Sequence, residues 1–242
     1  MSGNSTGSLL ADRPRDGVVR LRLNRPARRN AIDDELLAAL RSAVDESADD
    51  PATRAVVLSS AAPAVFCAGA DLKVPDAVRR QVSIDLYRLY RQMLSLPVPI
   101  LAALAGPAVG GGAQLAIASD LRVAGPGSWL RFVGPGHGLA VGAWGLPSLI
   151  GRGRALDLCL SGRRVGARAA AEMGLVDRIA EDAEALALDL AAGFAALDRG
   201  AVARTKALAG AGALAALDAE AEGNRHWNGR ASAPDAPGGT NG

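Results

Sequence analysis

The chain has 242 residues, of which 49% are hydrophobic, and its formal net charge is +2. This length and composition suffice for one substantial domain with a buried core, and the near-neutral charge does not point to nucleic acid as a partner. Aromatic residues make up 3% of the chain, which argues against a base-stacking surface. Two cysteines are too few for a disulfide framework, and together with two distant histidines they make a poor metal site, so we expect no metal: Cys67, Cys159, His137 and His226.

The N-terminus has no basic start followed by an apolar block, so we expect no secretory signal and a cytoplasmic protein. Two charge-free runs, 92–119 and 132–151, are long enough to span a bilayer. Each run contains several prolines and glycines, which would break a spanning helix and leave backbone groups without partners in lipid. The two runs therefore indicate a buried core, and we expect no membrane span.

The first part of the chain predicts alternating strands and helices. Alternation of apolar and basic residues is typical of a half-exposed strand, and apolar residues three and four apart are typical of a helix. In chain order the predicted elements are a flexible lead (1–16), a half-exposed strand (17–23), a helix capped by Asp33 and ending near 46, a buried strand (55–60) and a helix ended by Pro97 (76–96).

The middle of the chain is predicted to be a strand, a glycine turn and a buried helix. A β-type run at 98–104 precedes the three glycines 110–112, and a helix-type run at 113–118 follows them. Glycines at a helix start let a ligand approach bare backbone, and the first N–H groups of a helix have no partner inside it. We therefore expect this turn to hold a developing negative charge or a carbonyl oxygen.

The rest of the chain shifts from alternating elements to helices alone, with Gly174 as a natural residue to end one of them. The predicted elements are a strand (120–124), a glycine-rich loop segment (125–142), short helices (154–160, 167–173), a strand (175–179) and helices (182–197, 201–209, 211–225). This order is typical of an α/β domain with a helical appendage that packs on a neighbouring subunit. The predicted regions are a flexible lead (1–16), an α/β core (17–180), a helical region (181–230) and a disordered tail (231–242).

Four segments carry a pattern that is specific when taken together: LNRPARRNAI (23–32), FCAGADLK (66–73), PVPILAALAGPAVGGGAQLAIASDLRVA (97–124) and SGRRVGARAAAEMGLVDRI (161–179). In this order and spacing they resemble the crotonase superfamily, also called the enoyl-CoA hydratase/isomerase family, over roughly residues 17–222. The resemblance implies a spiral of ββα turns and a C-terminal helical region that joins subunits into trimers or dimers of trimers. It also implies a coenzyme A thioester of fatty-acid metabolism as the ligand, without a tightly bound cofactor.

The resemblance further implies which residues form the site. The backbone N–H groups of Ala70 and Gly111 would form an oxyanion hole, which stabilises the charge that a thioester carbonyl gains as its enolate forms. The coenzyme would lie along one loop region, where arginine suits phosphate because its fork donates two parallel hydrogen bonds. The residues assigned to coenzyme binding are Arg28, Arg29, Ala68, Asp71 and Lys73. Asp71 is more typical of a loop-orienting residue than of a general base.

Hydratases of the family use two glutamates, and this chain departs from the pattern at both positions. The first position, two residues after the glycine triplet, holds Gln114, and the second, twenty residues later in an ungapped count, holds Gly134. An amide can orient a water but cannot accept its proton at neutral pH. The segment 136–150 contains no acid, and His137 is its titratable residue, so it becomes a candidate acid or base.

Three functions follow from these residues. The first is an acyl-CoA-binding protein without efficient hydratase activity, which is the reading that the missing glutamates favour. The second is an active enoyl-CoA hydratase or isomerase that uses another acid or base, with His137 and Asp71 as candidates. The third is a structural, trimer-forming subunit that binds no ligand.

Overall fold

The computed structural model describes residues 7–62, 64–71 and 73–228. Its strands are β1 (Leu9–Arg15), β2 (Val18–Leu23), β3 (Ala55–Ser60), β4 (Ile100–Leu104), β5 (Ala108–Val109), β6 (Leu121–Ala124), β7 (Trp129–Arg131), β8 (Val165–Gly166) and β9 (Arg178–Ile179). Its helices are α1 (Asp34–Asp49), α2 (Asp76–Ser95), α3 (Gly111–Ala118), α4 (Leu146–Ile150), α5 (Arg152–Ser161), α6 (Ala167–Glu172), α7 (Ala183–Ala195) and α8 (Arg199–Gly223). Two short 3₁₀ turns lie at Pro26–Arg28 and Pro135–His137.

A six-stranded sheet in the order β1-β2-β3-β4-β6-β9 forms the centre of the molecule. All its neighbouring strands are parallel except the β1-β2 pair. The apolar strands β3 and β4 are buried along almost their whole length because helices cover both faces of a parallel sheet. Helix α7 packs on one face, whereas α1, α2 and α3 bury their apolar sides in the larger core on the other. The predicted mixed α/β class is confirmed.

A second, three-stranded sheet of β5, β7 and β8 carries the glycine turn. Strand β5 pairs in parallel with β7, and the Gly110 N–H donates to the Arg131 carbonyl at 2.9 Å. The turn is thereby fixed between this small sheet and the first residue of α3. Gly110 has a φ of 51° and a ψ of −116°, a backbone conformation that suits glycine.

The predicted flexible lead is wrong from Leu9 onward. Strand β1 pairs antiparallel with β2, so β1 forms that edge of the sheet. Leu9 and Ala11 pack against the core, and Pro14 is tolerated because β1 is an edge strand. Residues 1–6 and the predicted disordered tail 231–242 lie outside the described residues.

Several predicted boundaries shift, and one helix break is wrong. The two predicted helices at 201–209 and 211–225 are one continuous helix, α8, because glycine weakens a helix by about 1 kcal/mol without ending it. The predicted strand 175–179 shortens to β9, and α3 begins at Gly111, two residues earlier than predicted. Asp33 caps α1 as predicted, since its carboxylate accepts from the Leu36 N–H at 3.0 Å.

Within the described residues, none of the helices has both the length and the apolar character that crossing a bilayer requires.

Replacing Gly112 tests how tightly α3 is held against the strand before it. A Cβ at this position would lie 2.6 Å from the Cys67 Cβ and would also meet the Cys67 carbonyl, so Gly112→Ala must displace buried backbone. We expect a loss of roughly 1–3 kcal/mol in the free energy of unfolding, measured by urea denaturation. The control is Gly193→Ala in α7, where a Cβ meets nothing within 4 Å. That change should gain about 0.5–1 kcal/mol, and equal behaviour of the two variants would contradict the packing described.

Candidate functional site

A cavity of about 390 Å³ opens between the loop that ends β5, the start of α3, and α2. Its wall is largely apolar, and its charged residues are basic within the part of the chain that the structure describes. The lining residues are Ala68, Gly69, Ala70, Arg79, Ser83, Leu86, Tyr87, Val109, Gly110, Gly111, Gln114, Arg131, Val133, His137, Leu139, Val141 and Trp227.

Two backbone N–H groups at this cavity lack acceptors. The N–H groups of Ala70 and Gly111 donate no hydrogen bond to any described residue. On either side of Ala70, the Gly69 N–H donates to the Cys67 sulfur and the Asp71 N–H donates to the Ile32 carbonyl. The two segments are adjacent, because a Cβ built on Gly111 would lie 3.6 Å from the Ala70 nitrogen. Gly111 is the first residue of α3, so its free N–H also lies at the positive end of the helix dipole. The arrangement is suited to an oxygen that carries negative charge.

The loop that supplies the first N–H is fixed on both sides. The Ile32 N–H donates to the Gly69 carbonyl at 2.8 Å, and the Asp71 N–H donates to the Ile32 carbonyl at 2.9 Å. Gly69 has a φ of +91°, and a Cβ there would come within 2.6 Å of the Val109 carbonyl oxygen. Just before the loop, burial raises the pKa of the Cys67 thiol to about 12, so it is a neutral, packed side chain.

Gln114 lies at the inner end of the cavity, and its amide is oriented by two donors. The Oε1 atom accepts from the Trp144 indole N–H at 2.9 Å and from the Gly142 N–H at 3.2 Å. Trp144 is stacked on Tyr90, whose hydroxyl donates to the Gly111 carbonyl at 3.0 Å. The side chain therefore presents its NH₂ group, a donor, to the remaining space.

Gly134 is buried beside the cavity and does not line it. Its carbonyl accepts from the His137 and Leu139 N–H groups, which closes a tight turn. A Cβ at Gly134 would lie 2.5 Å from the Leu139 carbonyl oxygen and 2.9 Å from Val141 atoms. A glutamate at this position would require the whole turn to move.

His137 lines the cavity, as the sequence analysis expected of a candidate acid or base. Its Nδ1 atom is buried and has no hydrogen-bond partner among the described residues. The His137 carbonyl accepts from the Trp227 indole N–H at 2.7 Å, which attaches the C-terminal segment to this turn. The Nδ1 atom thus has no partner among the described residues, but it is covered by protein atoms and is not exposed to the cavity.

The sequence analysis missed the carboxylate nearest to the site, that of Glu220 on α8. Its side chain is 7% exposed and lies directly behind the cavity wall. Oε1 accepts from the Tyr87 hydroxyl at 2.8 Å and from the Gly142 N–H at 3.1 Å, and Oε2 accepts from the Trp144 N–H at 2.8 Å. Burial raises the pKa of Glu220 above its usual value, and the hydrogen bonds from Tyr87 and the backbone oppose that shift. Burial and the neighbouring Glu220 charge likewise raise the pKa of Tyr87.

Glu220 left a weak signal in the sequence. It follows Leu217 by three residues and precedes Asn224 by four, so the three share one helix face. Leu217 and Glu220 are the buried side chains of α8. An acid on the buried stripe of an alanine-rich helix could have been noticed, but its partners lie 76–133 residues away and could not be inferred.

Comparison with known proteins decides the family. The chain matches the Enoyl-CoA hydratase/isomerase family over residues 13–224. It is 39% identical over 177 residues to "Probable enoyl-CoA hydratase echA6" of Mycobacterium leprae, with 71% of each chain covered. The chain belongs to the enoyl-CoA hydratase/isomerase family.

Solved structures of this family share the fold described above. An enoyl-CoA hydratase/isomerase from Xanthobacter autotrophicus Py2 superposes with a TM-score of 0.84 at 32% identity, covering 93% of this chain and 88% of that one. An enoyl-CoA hydratase from Bacillus anthracis gives a TM-score of 0.78 at 31% identity, covering 90% and 91%. The predicted membership and the crotonase-like fold are thus confirmed.

Of the residues that the family resemblance assigns to the coenzyme, Ala68 lines the cavity, whereas Arg28, Arg29, Asp71 and Lys73 do not. The Ala68 N–H donates to the Arg29 carbonyl at 3.0 Å, so these two positions are adjacent. Arg28 and Arg29 are exposed, and neither guanidinium pairs with a carboxylate of the described residues. The Asp71 carboxylate accepts from the Lys73 N–H at 2.9 Å and does not line the cavity, in keeping with a loop-orienting role.

A larger cavity, of about 740 Å³, lies between α8 and the sheet edge and lacks comparable chemistry. Its charged groups already have partners: Lys206 donates to Asp120 at 2.7 Å, and Arg122 donates to Asp177 at 2.7 Å. Asp198 accepts from the Ala201 N–H as the cap of α8. No group of three metal-ligating side chains occurs within residues 7–62, 64–71 and 73–228. The smaller cavity, with its free backbone donors, is the better candidate.

The protonation of Glu220 gives a pH prediction. Because its folded pKa lies above the unfolded value of 4.5, the folded chain holds an extra proton between the two values. The associated stability is fully present below pH 4.5 and is lost as pH rises through the folded pKa. The free energy of unfolding is measured against pH, at constant ionic strength, for the wild type and for Glu220→Gln. We expect the wild-type value minus the variant value to fall as pH rises from about 4.5 towards neutrality. A difference that grows with pH would mean that the hydrogen bonds to the carboxylate outweigh its burial.

Proposed function

We propose that this protein binds a fatty acyl-CoA thioester, whose carbonyl oxygen accepts hydrogen bonds from the Ala70 and Gly111 N–H groups. The observation that carries the proposal is the pair of adjacent, unpartnered N–H groups on the cavity wall. Ala70 and Gly111 are half-buried and both line the cavity, so one oxygen that enters it can accept from two fixed backbone donors. Membership of the family supports a thioester as the source of that oxygen.

The rest of the ligand fits the two ends of the cavity. On the loops that adjoin the lining residues Ala68 and Ala70, which we take as the rim, Arg28, Arg29 and Lys73 are exposed cations suited to the phosphates of the coenzyme. Inside, aliphatic side chains from three elements suit an acyl chain; they are Leu86, Val109, Leu139 and Val141. The order of phosphate end, carbonyl and acyl chain thus follows the order of charged rim, N–H pair and apolar interior.

The same cavity is poorly equipped for hydration. Within the described residues no carboxylate lines it, and the amide of Gln114 cannot take a proton from water. General acid–base catalysis typically contributes about 10²–10⁴-fold, so hydration without it should be slow. Glu220 is separated from the cavity by the Tyr87 hydroxyl and the Gly142 backbone. We therefore propose binding as the main function.

The contribution of the two N–H groups can be measured with a ligand that lacks the carbonyl. Octanoyl-CoA and its thioether analogue S-octyl-CoA differ in one oxygen, so their dissociation constants, measured by calorimetry, isolate its hydrogen bonds. With about 1 kcal/mol for each of two bonds, octanoyl-CoA should bind roughly tenfold to thirtyfold more tightly. Equal affinities would show that the N–H pair does not hold the carbonyl. Absence of saturable binding by either compound would remove the acyl-CoA proposal.

Hydration of crotonyl-CoA tests the proposed lack of hydratase chemistry. We expect the wild type to show little turnover and Gln114→Glu to raise it by roughly 10²-fold, since the carboxylate keeps both acceptor contacts of the amide and adds a base. Gly134→Glu is unsuitable as a partner change because its Cβ overlaps Leu139. The control is Gln92→Glu, which makes the same chemical change at a residue that does not line the cavity, on the side of α2 that faces α1.

An active hydratase or isomerase is the second candidate, and two observations favour it. Relatives of the chain carry the name enoyl-CoA hydratase, and His137 is a titratable residue that lines the cavity. Robust wild-type turnover of crotonyl-CoA, or of a longer enoyl-CoA, would replace the binding proposal with this one. Loss of that turnover in His137→Gln would then assign the proton transfer to His137.

Self-assembly and location in the cell belong to the same proposal. Leu208 on α8 is 82% exposed and Leu160 on α5 is 70% exposed, which suits a surface covered by another copy in trimers or dimers of trimers. Light scattering gives the number of subunits directly, and a monomer would remove this part of the proposal. A cytoplasmic location fits two buried, free thiols and is tested by cell fractionation.

A further inference from the structure

Helix α8 is held in its middle by Lys206, which donates to Asp120 at 2.7 Å and to two backbone carbonyls, and at its C-terminal end by a second set of polar contacts. Of its 25 residues, Leu217 and Glu220 are the buried ones. One turn after Glu220, the Asn224 side chain donates to the Tyr87 hydroxyl and to the Ala140 carbonyl, each at 2.7 Å, and accepts from the Ala140 N–H at 2.9 Å. The C-terminal end of this half-exposed helix is thus attached to the molecule at the place where the cavity lies.

The groups that Glu220 holds are parts of the cavity wall. Tyr87 lines the cavity from α2, and the backbone at 142–144 continues directly from the lining residue Val141. The Gly142 N–H is shared between Glu220 and Gln114, so the carboxylate and the lining amide are linked through one donor. Moving Glu220 would release several donors of this wall at once.

A carboxylate in this position is costly unless all its hydrogen bonds are made. Burial disfavours its charged form, and removal of one partner of a buried charged network leaves the other groups unsatisfied. Its donors come from Tyr87 on α2 and from the loop before α4. Among the described residues, no other charged side chain bridges that helix and that loop. The carboxylate therefore joins three separate parts of the chain at one point.

We propose that Glu220 is a positioning residue that fixes the inner wall of the acyl cavity, so that docking of residues 217–227, the end of α8 and the segment after it, and binding of the acyl chain are coupled. The coupling rests on the proposed function, because it takes the acyl group as the ligand that contacts this wall. Trp227 completes the connection, since it lines the cavity and donates to the His137 carbonyl.

Glu220→Gln tests the proposal, with Glu222→Gln as the matched control. Glu222 lies two residues further along α8, is exposed and pairs with Arg225 at 3.1 Å, so the control removes an equal charge without touching the wall. In Glu220→Gln the new NH₂ group is a donor and would face other donors. In one orientation it meets the Trp144 N–H, and in the other it meets the Tyr87 hydroxyl and the Gly142 N–H. We expect the dissociation constant of octanoyl-CoA to rise about tenfold while that of free coenzyme A stays within about twofold.

Hydrogen exchange without ligand supplies a second, independent measurement. The Trp144 amide should exchange at least tenfold faster in Glu220→Gln than in the wild type, and ligand should slow exchange across 217–227 in the wild type. Exchange and affinities equal to those of Glu222→Gln would overturn the proposal, as would an equal loss of affinity for free coenzyme A and octanoyl-CoA. If Glu220→Gln does not fold, Tyr87→Phe removes one of the three donors to Glu220, together with the hydroxyl's contacts to Ala140 and Asn224, and should give the same pattern at smaller amplitude.

The two proposals fail in distinguishable ways. If the wild type binds no acyl-CoA, the proposed ligand is wrong and the coupling falls with it. The exchange rate of the Trp144 amide still decides whether Glu220 holds the wall. If the wild type binds octanoyl-CoA but the Trp144 amide is unaffected by Glu220→Gln, the proposed function stands and the positioning role is wrong.

Discussion

The close approach of α3 to the strand before the donor loop is the constraint on which the site depends. Gly112 lies against Cys67 so tightly that no side chain fits between them, and Gly69 lies equally close to the Val109 carbonyl. These two contacts bring the Ala70 and Gly111 nitrogens side by side on the cavity wall. Because both donors are backbone groups, their direction is set by the packing of two segments, and side-chain motion does not change it.

The polar groups of the inner cavity wall are better suited to binding a ligand than to proton transfer. A carboxylate is present, but it is one layer behind the surface and its oxygens are occupied by Tyr87 and two backbone amides. The lining position is held by Gln114, whose oxygen is also occupied. The free groups that face the ligand are therefore mostly donors, which favours binding an electron-rich carbonyl over removing a proton from water.

Local sequence patterns predicted the parts of the site that depend on backbone geometry. The glycine turn at 110–112 was predicted from its own residues, because glycine content and helix starts are short-range signals, whereas Ala70 was assigned from the family resemblance. In the structure Ala70, Gly110 and Gly111 line the same cavity. The alternation of apolar residues also gave the α/β class and the order of the main elements. Pairing of β1 was missed because a short polar strand at an edge carries a weak pattern until its partner is known.

The contribution of α8 could not be predicted from the sequence. Segment 136–150 does lack an acid, but the carboxylate nearest to it comes from Glu220, which is far along the chain and reaches this place through tertiary packing. Sequence spacing can suggest that Glu220, Leu217 and Asn224 share a face, but it cannot say which surface that face meets. An ungapped count placed Gly134 at the second glutamate position. That count could not predict the tight turn that fills the space around Gly134.

The shared Gly142 N–H has a consequence for how such a site could change its chemistry. One amide hydrogen serves the oxygens of both Gln114 and Glu220, so a carboxylate at position 114 would lie beside a second carboxylate with a common donor. Two like charges at this separation do not both ionise readily in a buried place, and they titrate as a pair that shares one proton. A single substitution would then create an acid dyad, with one member able to donate and the other able to accept. The present amide keeps that dyad from forming.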